Sequence, residues 1–167
     1  MSIWPRDIEE QAYSIIHDFT ARGLMIATAE SCTGGMIAGA LTEIPGSSAV
    51  IDRGFVTYSN EAKMRMIGVS SETLKAYGAV SRETAIEMAN GALAGSRADV
   101  SIAVTGVAGP GGGSIEKPVG LVHLAAARRD GKVFHREMRY GDIGRQGVRL
   151  ATLRTALEIL IEAGAFT

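Results

Sequence analysis

Three residue types that together could open an acyl bond stand at breaks in the apolar pattern of this chain. Ser31 follows an apolar run (Leu24, Met25, Ile26, Ala27) that gives way to Thr28-Ala29-Glu30-Ser31-Cys32-Thr33-Gly34-Gly35 before helical periodicity resumes at Met36. A strand-to-helix turn of this kind exposes a side chain at the carboxyl end of a strand. It also aims backbone N–H groups from the helix start at the same spot, which suits a nucleophile beside an oxyanion or a phosphate. A serine hydroxyl is a weak nucleophile at neutral pH and needs a neighbour to take its proton. Without a placed histidine, a lysine kept neutral by burial can serve. Lys63 is the candidate base and Tyr58 the candidate proton relay or donor, both at the end of a second apolar stretch. Cys32 is the rival nucleophile, because thiolates attack well and the turn could lower its pKa, although small buried cysteines usually just pack. The bland alternatives are that Ser31 or Thr33 only caps the next helix, that Lys63 is solvated and that Tyr58 packs on a strand.

A third apolar run, Val100 to Val104, opens into Thr105-Gly106-Val107-Ala108-Gly109-Pro110-Gly111-Gly112-Gly113-Ser114. This segment offers hydroxyls and a series of backbone N–H groups able to wrap a phosphate or a sugar. It is not a Walker loop, since the Gly-Lys-Ser/Thr ending is missing, and no dinucleotide fingerprint follows the first strand. In open α/β sheets ligands bind at the carboxyl ends of strands, so the three segments should converge on one site.

The elements that must position them follow from periodicity. Pro5 suits the start of a helix with Ile8, Ala12, Ile15, Ile16 and Phe19 on one face, ended by Gly23. Leu24 to Thr28 reads as a strand, Gly34 to Ile44 as a short helix stopped by Pro45-Gly46, and Val50 to Tyr58 as a strand with a bulge at Gly54. Ser59 starts a capped helix, Ser71 to Tyr77 is a short one closed by Gly78, and Ser81 caps a longer one. Val119 to Ala127 and Val133 to Tyr140 flank Asp130-Gly131, a strong hairpin signal. Asp142 is expected to cap a last helix in which Leu150, Leu153, Leu157, Leu160 and Ile161 repeat at helical spacing. The order α-β-α-β-α-α-β-β-β-α argues a single-domain three-layer α/β/α sandwich, spanning residues 1–167, with a mixed, mostly parallel sheet.

Composition narrows the function. The 167 residues fit one domain with a real core. A formal charge of −1 and the absence of any basic run argue against nucleic-acid binding. No apolar stretch reaches the ~18 residues of a membrane span, and the N-terminus has no secretory signal pattern, so no membrane association is expected. One cysteine cannot make an internal disulfide, which points to a cytoplasmic protein. His17, His123 and His135 have no metal-ligand spacing, so no protein-built metal site is expected.

Together, Ala29-Glu30-Ser31-Cys32-Thr33-Gly34-Gly35, Tyr58-Ser59-Asn60-Glu61-Ala62-Lys63 and Thr105-Gly106-Val107-Ala108-Gly109-Pro110-Gly111-Gly112 resemble the CinA C-terminal family, over nearly the whole chain. Its members include stand-alone nicotinamide-nucleotide amidohydrolases, which convert nicotinamide mononucleotide (NMN) to nicotinate mononucleotide and ammonia. The resemblance implies a serine nucleophile assisted by lysine and tyrosine, carried here by Ser31, Lys63 and Tyr58, with no cofactor. The turn and loop themselves lead us to expect oxyanion contacts from Thr33, Gly34 and Gly35 and substrate contacts from Thr105, Gly106, Gly109, Gly111 and Gly112, and the resemblance implies a further contact from an arginine near Gly141-Asp142-Ile143-Gly144-Arg145. That segment is two residues longer than the Gly-Asp-Arg of relatives, so Arg145 is the candidate and Arg149 the alternative. The expected partners are NMN and further copies of the chain in a homo-oligomer. Many relatives carry a preceding nucleotide-processing domain, whose pyrophosphatase chemistry is not transferred. The competing expectation is a module of the same family that binds or senses a mononucleotide without turning it over.

Overall fold

In a computed structural model, described for residues 1–166, the polar and glycine-rich breaks fall where strands end. The first helix, α1 (Arg6–Arg22), buries Ile8, Ala12, Ile15, Ile16 and Phe19, the apolar positions that recur at helical spacing. It stops at Gly23, whose left-handed φ of 66° returns its N–H to the last turn. Each of the isoleucines and Phe19 contributes about 1.5–3 kcal/mol by burial, and Phe19→Ala would cost about 3–5 kcal/mol by leaving a cavity.

Strand β1 (Ile26–Glu30) is followed by α2 (Met36–Thr42), β2 (Ile51–Val56) and three helices, α3 (Asn60–Ile67), α4 (Ser71–Tyr77) and α5 (Arg82–Ala94). Strands β3 (Val100–Gly106), β4 (Leu121–Arg128) and β5 (Val133–Arg139) then lead to α6 (Arg145–Gly164). The sheet order is β2-β1-β3-β4-β5. β2, β1 and β3 pair in parallel, and the hairpin adds β4 and β5 antiparallel, so β4 alone runs against the other strands. The ends of β1, β2 and β3 therefore lie side by side on one edge, as a crevice site requires.

Helices α1, α2 and α6 cover one face over a core of Ile, Leu, Val and Phe side chains. The core beneath α5 on the other face is mostly alanine, including Ala27, Ala29, Ala85, Ala89, Ala103 and Ala125. Small side chains bring that helix close to the sheet. At Gly91 an added Cβ would lie 1.8 Å from the Ile67 carbonyl oxygen, so the end of α3 is seated directly on α5. That seat fixes the helix carrying Lys63.

Four expectations about the elements are corrected. The helix after Ser31 begins at Met36 and not at Gly34, because Gly34 (φ 57°) and Gly35 (φ 106°) are both left-handed and reverse the chain between β1 and α2. The strand bulge lies at Asp52 and not at Gly54: pairing moves from Ile26–Ile51 to Ala27–Arg53. This swings the Asp52 carboxylate onto the Arg97 N–H and guanidinium, and these bonds, with Arg53, hold its pKa down at about 2. The order α-β-α-β-α-α-β-β-β-α is one helix short, since the three helices expected at Ser59, Ser71 and Ser81 all form between β2 and β3, each capped by a serine side chain, Ser59, Ser70 or Ser81. Asp142 does not cap α6, whose N-cap is Gly144 with no side-chain bond.

Candidate active site

Glu30 ends β1 as a carboxylate that is only 1% exposed. Its oxygens accept from the Thr33 hydroxyl at 2.6 Å and from the N–H groups of Ile37 and Ala38 at 2.8 and 3.1 Å. A buried charge survives only when so bonded, and here it satisfies the otherwise orphaned donors at the start of α2. Glu30 thus does the capping that the residue types suggested for Ser31 or Thr33. The Ser31 hydroxyl is left free to face the crevice.

Lys63 comes from the first turns of α3, and its side chain runs inward until the residue is 1% exposed. Its Nζ lies 3.1 Å from Ser31 Oγ, 2.9 Å from the Thr57 carbonyl and 3.4 Å from the Tyr58 carbonyl. Among the described residues no carboxylate lies within 4 Å of it. Burial accordingly pushes its pKa below the usual lysine value. A neutral amine has two hydrogens and one lone pair. The two carbonyls can take the hydrogens, leaving the lone pair for the Ser31 hydroxyl. An amine placed in this way can act chemically as a general base on a serine.

Ser31, Cys32, Tyr58, Lys63, Thr105, Gly106, Gly109, Gly111, Gly112 and Arg145 line one cavity of about 310 Å³, within the range of small-molecule sites. Cys32 is buried, and burial raises its thiol to about 11, away from the thiolate form that a cysteine nucleophile needs. Thr105 closes the end of β3 by donating its hydroxyl to the Ala79 carbonyl at 2.7 Å. The glycines at 109, 111 and 112 form the loop wall. At Gly109 a Cβ would lie 2.7 Å from Val119 Cγ1, whereas nothing stands within 4 Å of one at Gly111 or Gly112.

Tyr58 is 61% exposed at the rim, and its hydroxyl accepts from Arg145 Nη2 at 3.0 Å, with no bond to Ser31 or Lys63. Arg145 also donates to the Gly109 carbonyl at 2.8 Å, so it ties the second strand-end segment to the third. Arg149, the alternative arginine, does not line this cavity and instead holds the carbonyls of Cys32 and Thr33. Thr33, Gly34 and Gly35 also lie off the cavity wall, and the Gly34 N–H is engaged by the Ser31 carbonyl at 3.0 Å.

Sequence reasoning missed Glu30, whose signal was a charge closing an apolar strand. It also missed Asn60, Ala79 and Val80 in the cavity wall. Asn60 sits inside the Tyr58–Lys63 motif and could have been found there. Ala79 and Val80 carry no chemical signal. A larger cavity of about 770 Å³ lies across Arg145, beside Trp4, Met36 and Arg149, and its lining holds neither a serine nor a lysine. Among the described residues no three His, Cys, Asp or Glu are grouped to hold a metal ion, and no helix is long and apolar enough to cross a membrane.

Known proteins match this chain along most of its length. Nicotinamide-nucleotide amidohydrolase PncC of Escherichia coli K12 is 53% identical over 141 residues, covering 84% of each chain. A competence-damage inducible relative from Caldicellulosiruptor bescii is 50% identical over 147 residues, and there the chain spans 35% of the relative's length. The crystal structure of the competence/damage inducible protein CihA from Agrobacterium tumefaciens superposes with a TM-score of 0.96 at 70% identity, covering 97% of this chain and 98% of that one. With residues 8–163 also matching the family model described as the CinA C-terminal domain, the chain belongs to the CinA C-terminal domain family.

Proposed function

We propose that this protein hydrolyses the carboxamide of nicotinamide mononucleotide, giving nicotinate mononucleotide and ammonia. The observation that carries the reading is the 3.1 Å approach of a buried lysine amine, free of any carboxylate partner, to the hydroxyl of a serine in a sheet-end cavity. The amidohydrolase name of relatives about half identical over most of the chain supports the substrate.

Ser31 Oγ attacks the amide carbon while Lys63 Nζ accepts its proton, forming a C–O bond and a tetrahedral oxyanion. Collapse breaks the C–N bond, and the nitrogen leaves as ammonia with a proton returned from the site. The lysinium formed in the first step is the nearest donor, while Tyr58 serves the departing ammonia from the rim. Water, deprotonated by the same lysine, then cleaves the acyl-serine ester. Backbone N–H groups of the Ser31 turn hold the oxyanion, a device worth about 2.7–4 kcal/mol per donor. Arg145 and the 109–112 loop receive the phosphate and ribose through a guanidinium and backbone N–H groups. No cofactor enters this sequence, and the setting is cytoplasmic, with further copies of the chain as the expected partner.

Ammonia release from NMN tests the reading. Wild type should turn over and Ser31→Ala should not. NMN binding without ammonia would make the protein a binding module, and full turnover by Ser31→Ala would move the nucleophile elsewhere.

A further inference from the structure

The backbone of the nucleophile is fixed on both sides. The Ser31 N–H donates to the Val104 carbonyl of β3 at 3.1 Å, and the Ser31 carbonyl accepts from the Gly34 N–H at 3.0 Å. That carbonyl is therefore folded inward, toward the glycines that reverse the chain. In a planar trans peptide a carbonyl and the N–H that follows it point in opposite directions. The Cys32 N–H accordingly points out of the turn.

Of the amides from Cys32 to Gly35, this one alone is both free and on the cavity wall. The Gly34 N–H is taken by the Ser31 carbonyl, and neither Thr33 nor Gly35 lines the cavity. Cys32 does line it, together with Ser31 and Lys63, and its N–H has no acceptor among the described residues outside its own side chain. Its own sulfur lies beside it, but thiol sulfur is a weak acceptor, and this side chain packs in the core that α1, α2 and α6 cover. Amides this deep are nearly always paired, since Cys32 is only 6% exposed, so a donor left open at a cavity suits a ligand oxygen. Ser31 Oγ is joined to the Cys32 nitrogen through Cβ, Cα and the carbonyl carbon alone. An oxygen on a carbon newly bonded to Oγ thus comes within reach of this N–H.

We infer that the Cys32 backbone N–H is the oxyanion donor of this site. As Ser31 Oγ bonds to the carboxamide carbon and Lys63 takes the hydroxyl proton, the C=O electron pair moves onto the oxygen that this N–H holds. The pair returns when the C–N bond breaks and ammonia leaves with the proton from the lysinium. The inference rests on the amidohydrolase reading of the same site and names its donor, in place of Thr33, Gly34 and Gly35.

A resonance of the unaltered protein tests it. Cys32 is the only cysteine in the chain, so ¹⁵N-cysteine labelling gives a single backbone amide signal. A fluorophosphonate that modifies Ser31, verified by intact mass, leaves a phosphoryl oxygen where the oxyanion would stand and requires no turnover of NMN. On modification the Cys32 amide proton should shift downfield and its exchange with solvent should slow at least tenfold, with neither change in reagent-treated Ser31→Ala. A signal that stays in place in the modified protein would overturn the inference.

Kinetics give a second reading. Cys32→Ala is made with its ordinary amide, and again with lactic acid at that position, which exchanges the N–H for an ester oxygen. Between the two forms kcat for ammonia release from NMN should fall by about 10²–10³, the effect of losing one oxyanion donor, with KM nearly unchanged. Modification of Ser31 by the fluorophosphonate should slow in parallel. Equal kcat in the two forms would overturn the inference, as would a change confined to KM and the thermal midpoint, which the weaker ester carbonyl at Ser31 would produce. If wild type releases no ammonia from NMN, the proposed substrate fails. The downfield shift in the phosphonyl adduct then still supports the Cys32 donor, and a static signal still overturns it.

Discussion

The turn after β1 and the loop after β3 meet in one cavity, yet they are built in opposite ways. Residues 28–33 are buried, and the segment from Glu30 to Thr33 is held from three directions: by the Glu30 carboxylate toward α2, by Lys63 from α3 and by Arg149 from α6. The loop from Pro110 to Glu116 is exposed and is held near its ends, by the Val107–Leu121 and Val107–Gly120 backbone bonds, the Arg145–Gly109 bond and Lys117 on the Tyr77 carbonyl. The difference suits the two tasks proposed for them. A nucleophile and its base must keep a separation near 3 Å, which only a packed and bonded environment enforces. A cradle for a phosphate or ribose needs accessible backbone N–H groups, which bulky side chains would cover. Changes in the turn should therefore lower kcat or stability, and changes in the loop should mainly raise KM.

The largest effects belong to Lys63. Lys63→Arg should lose about 10²–10⁴ in kcat/KM for NMN, because guanidinium stays charged and cannot accept the Ser31 proton. In wild type kcat/KM should rise with pH through a limb set by Lys63, lying below the ~10.4 of a free lysine because burial disfavours its charged form. Substantial turnover by Lys63→Arg would remove the lysine from the base role and leave the tight turn without its catalytic explanation.

Glu30→Gln comes next. An amide keeps one acceptor oxygen but turns an NH₂ toward groups that are themselves donors, so one buried donor loses its partner at about 1–3 kcal/mol. Denaturant unfolding should show that loss, and kcat should drop with it as the turn loosens. An unchanged midpoint with full activity would break the contrast from the turn's side.

Gly111→Val sharpens it from the loop's side. Gly111 has open space around a Cβ and no left-handed φ, unlike Gly112 at 84°, so its substitution tests obstruction without backbone strain. KM for NMN should rise roughly tenfold with kcat nearly constant, while the poor turnover of free nicotinamide should barely change. An equal proportional loss on both substrates would place the loop at the amide instead of at the phosphate or ribose.

The smallest effect is on stability. The folded pKa of Lys63 is depressed, so between that value and ~10.4 the unfolded chain binds more protons and wild-type stability rises with pH. Below the folded pKa the cost of burying the charge is present in full. Lys63→Met lacks this dependence. The thermal midpoint of wild type should gain on that variant as pH rises from neutrality toward 10, and parallel midpoints would mean that the lysine is not desolvated as its position implies.

Much of this was legible in the chain. Apolar spacing located α1 and α6, Asp130-Gly131 marked the β4–β5 hairpin, and three polar breaks after apolar runs became the three walls of the cavity. Ser31 and Lys63 stand 32 residues apart, and the need of a serine for a base links them without any knowledge of the contact. The failures share a cause. Asp142 and Gly54 carry local signals for a cap and a bulge, but the α6 start and the β2 register obey long-range partners, among them Arg97 on the Asp52 carboxylate.

Residue types and spacing by themselves determined the α/β layers, the strand ends and the inventory of chemistry available there, because propensity and periodicity act over a few residues. Tertiary structure alone decided what each group does. It gave the cap to Glu30, free of which Ser31 meets Lys63; it placed Tyr58 on Arg145 and sent Arg149 behind the turn. Burial, hydrogen-bond partners and the direction of a peptide N–H depend on elements distant in the chain, and no local pattern encodes them.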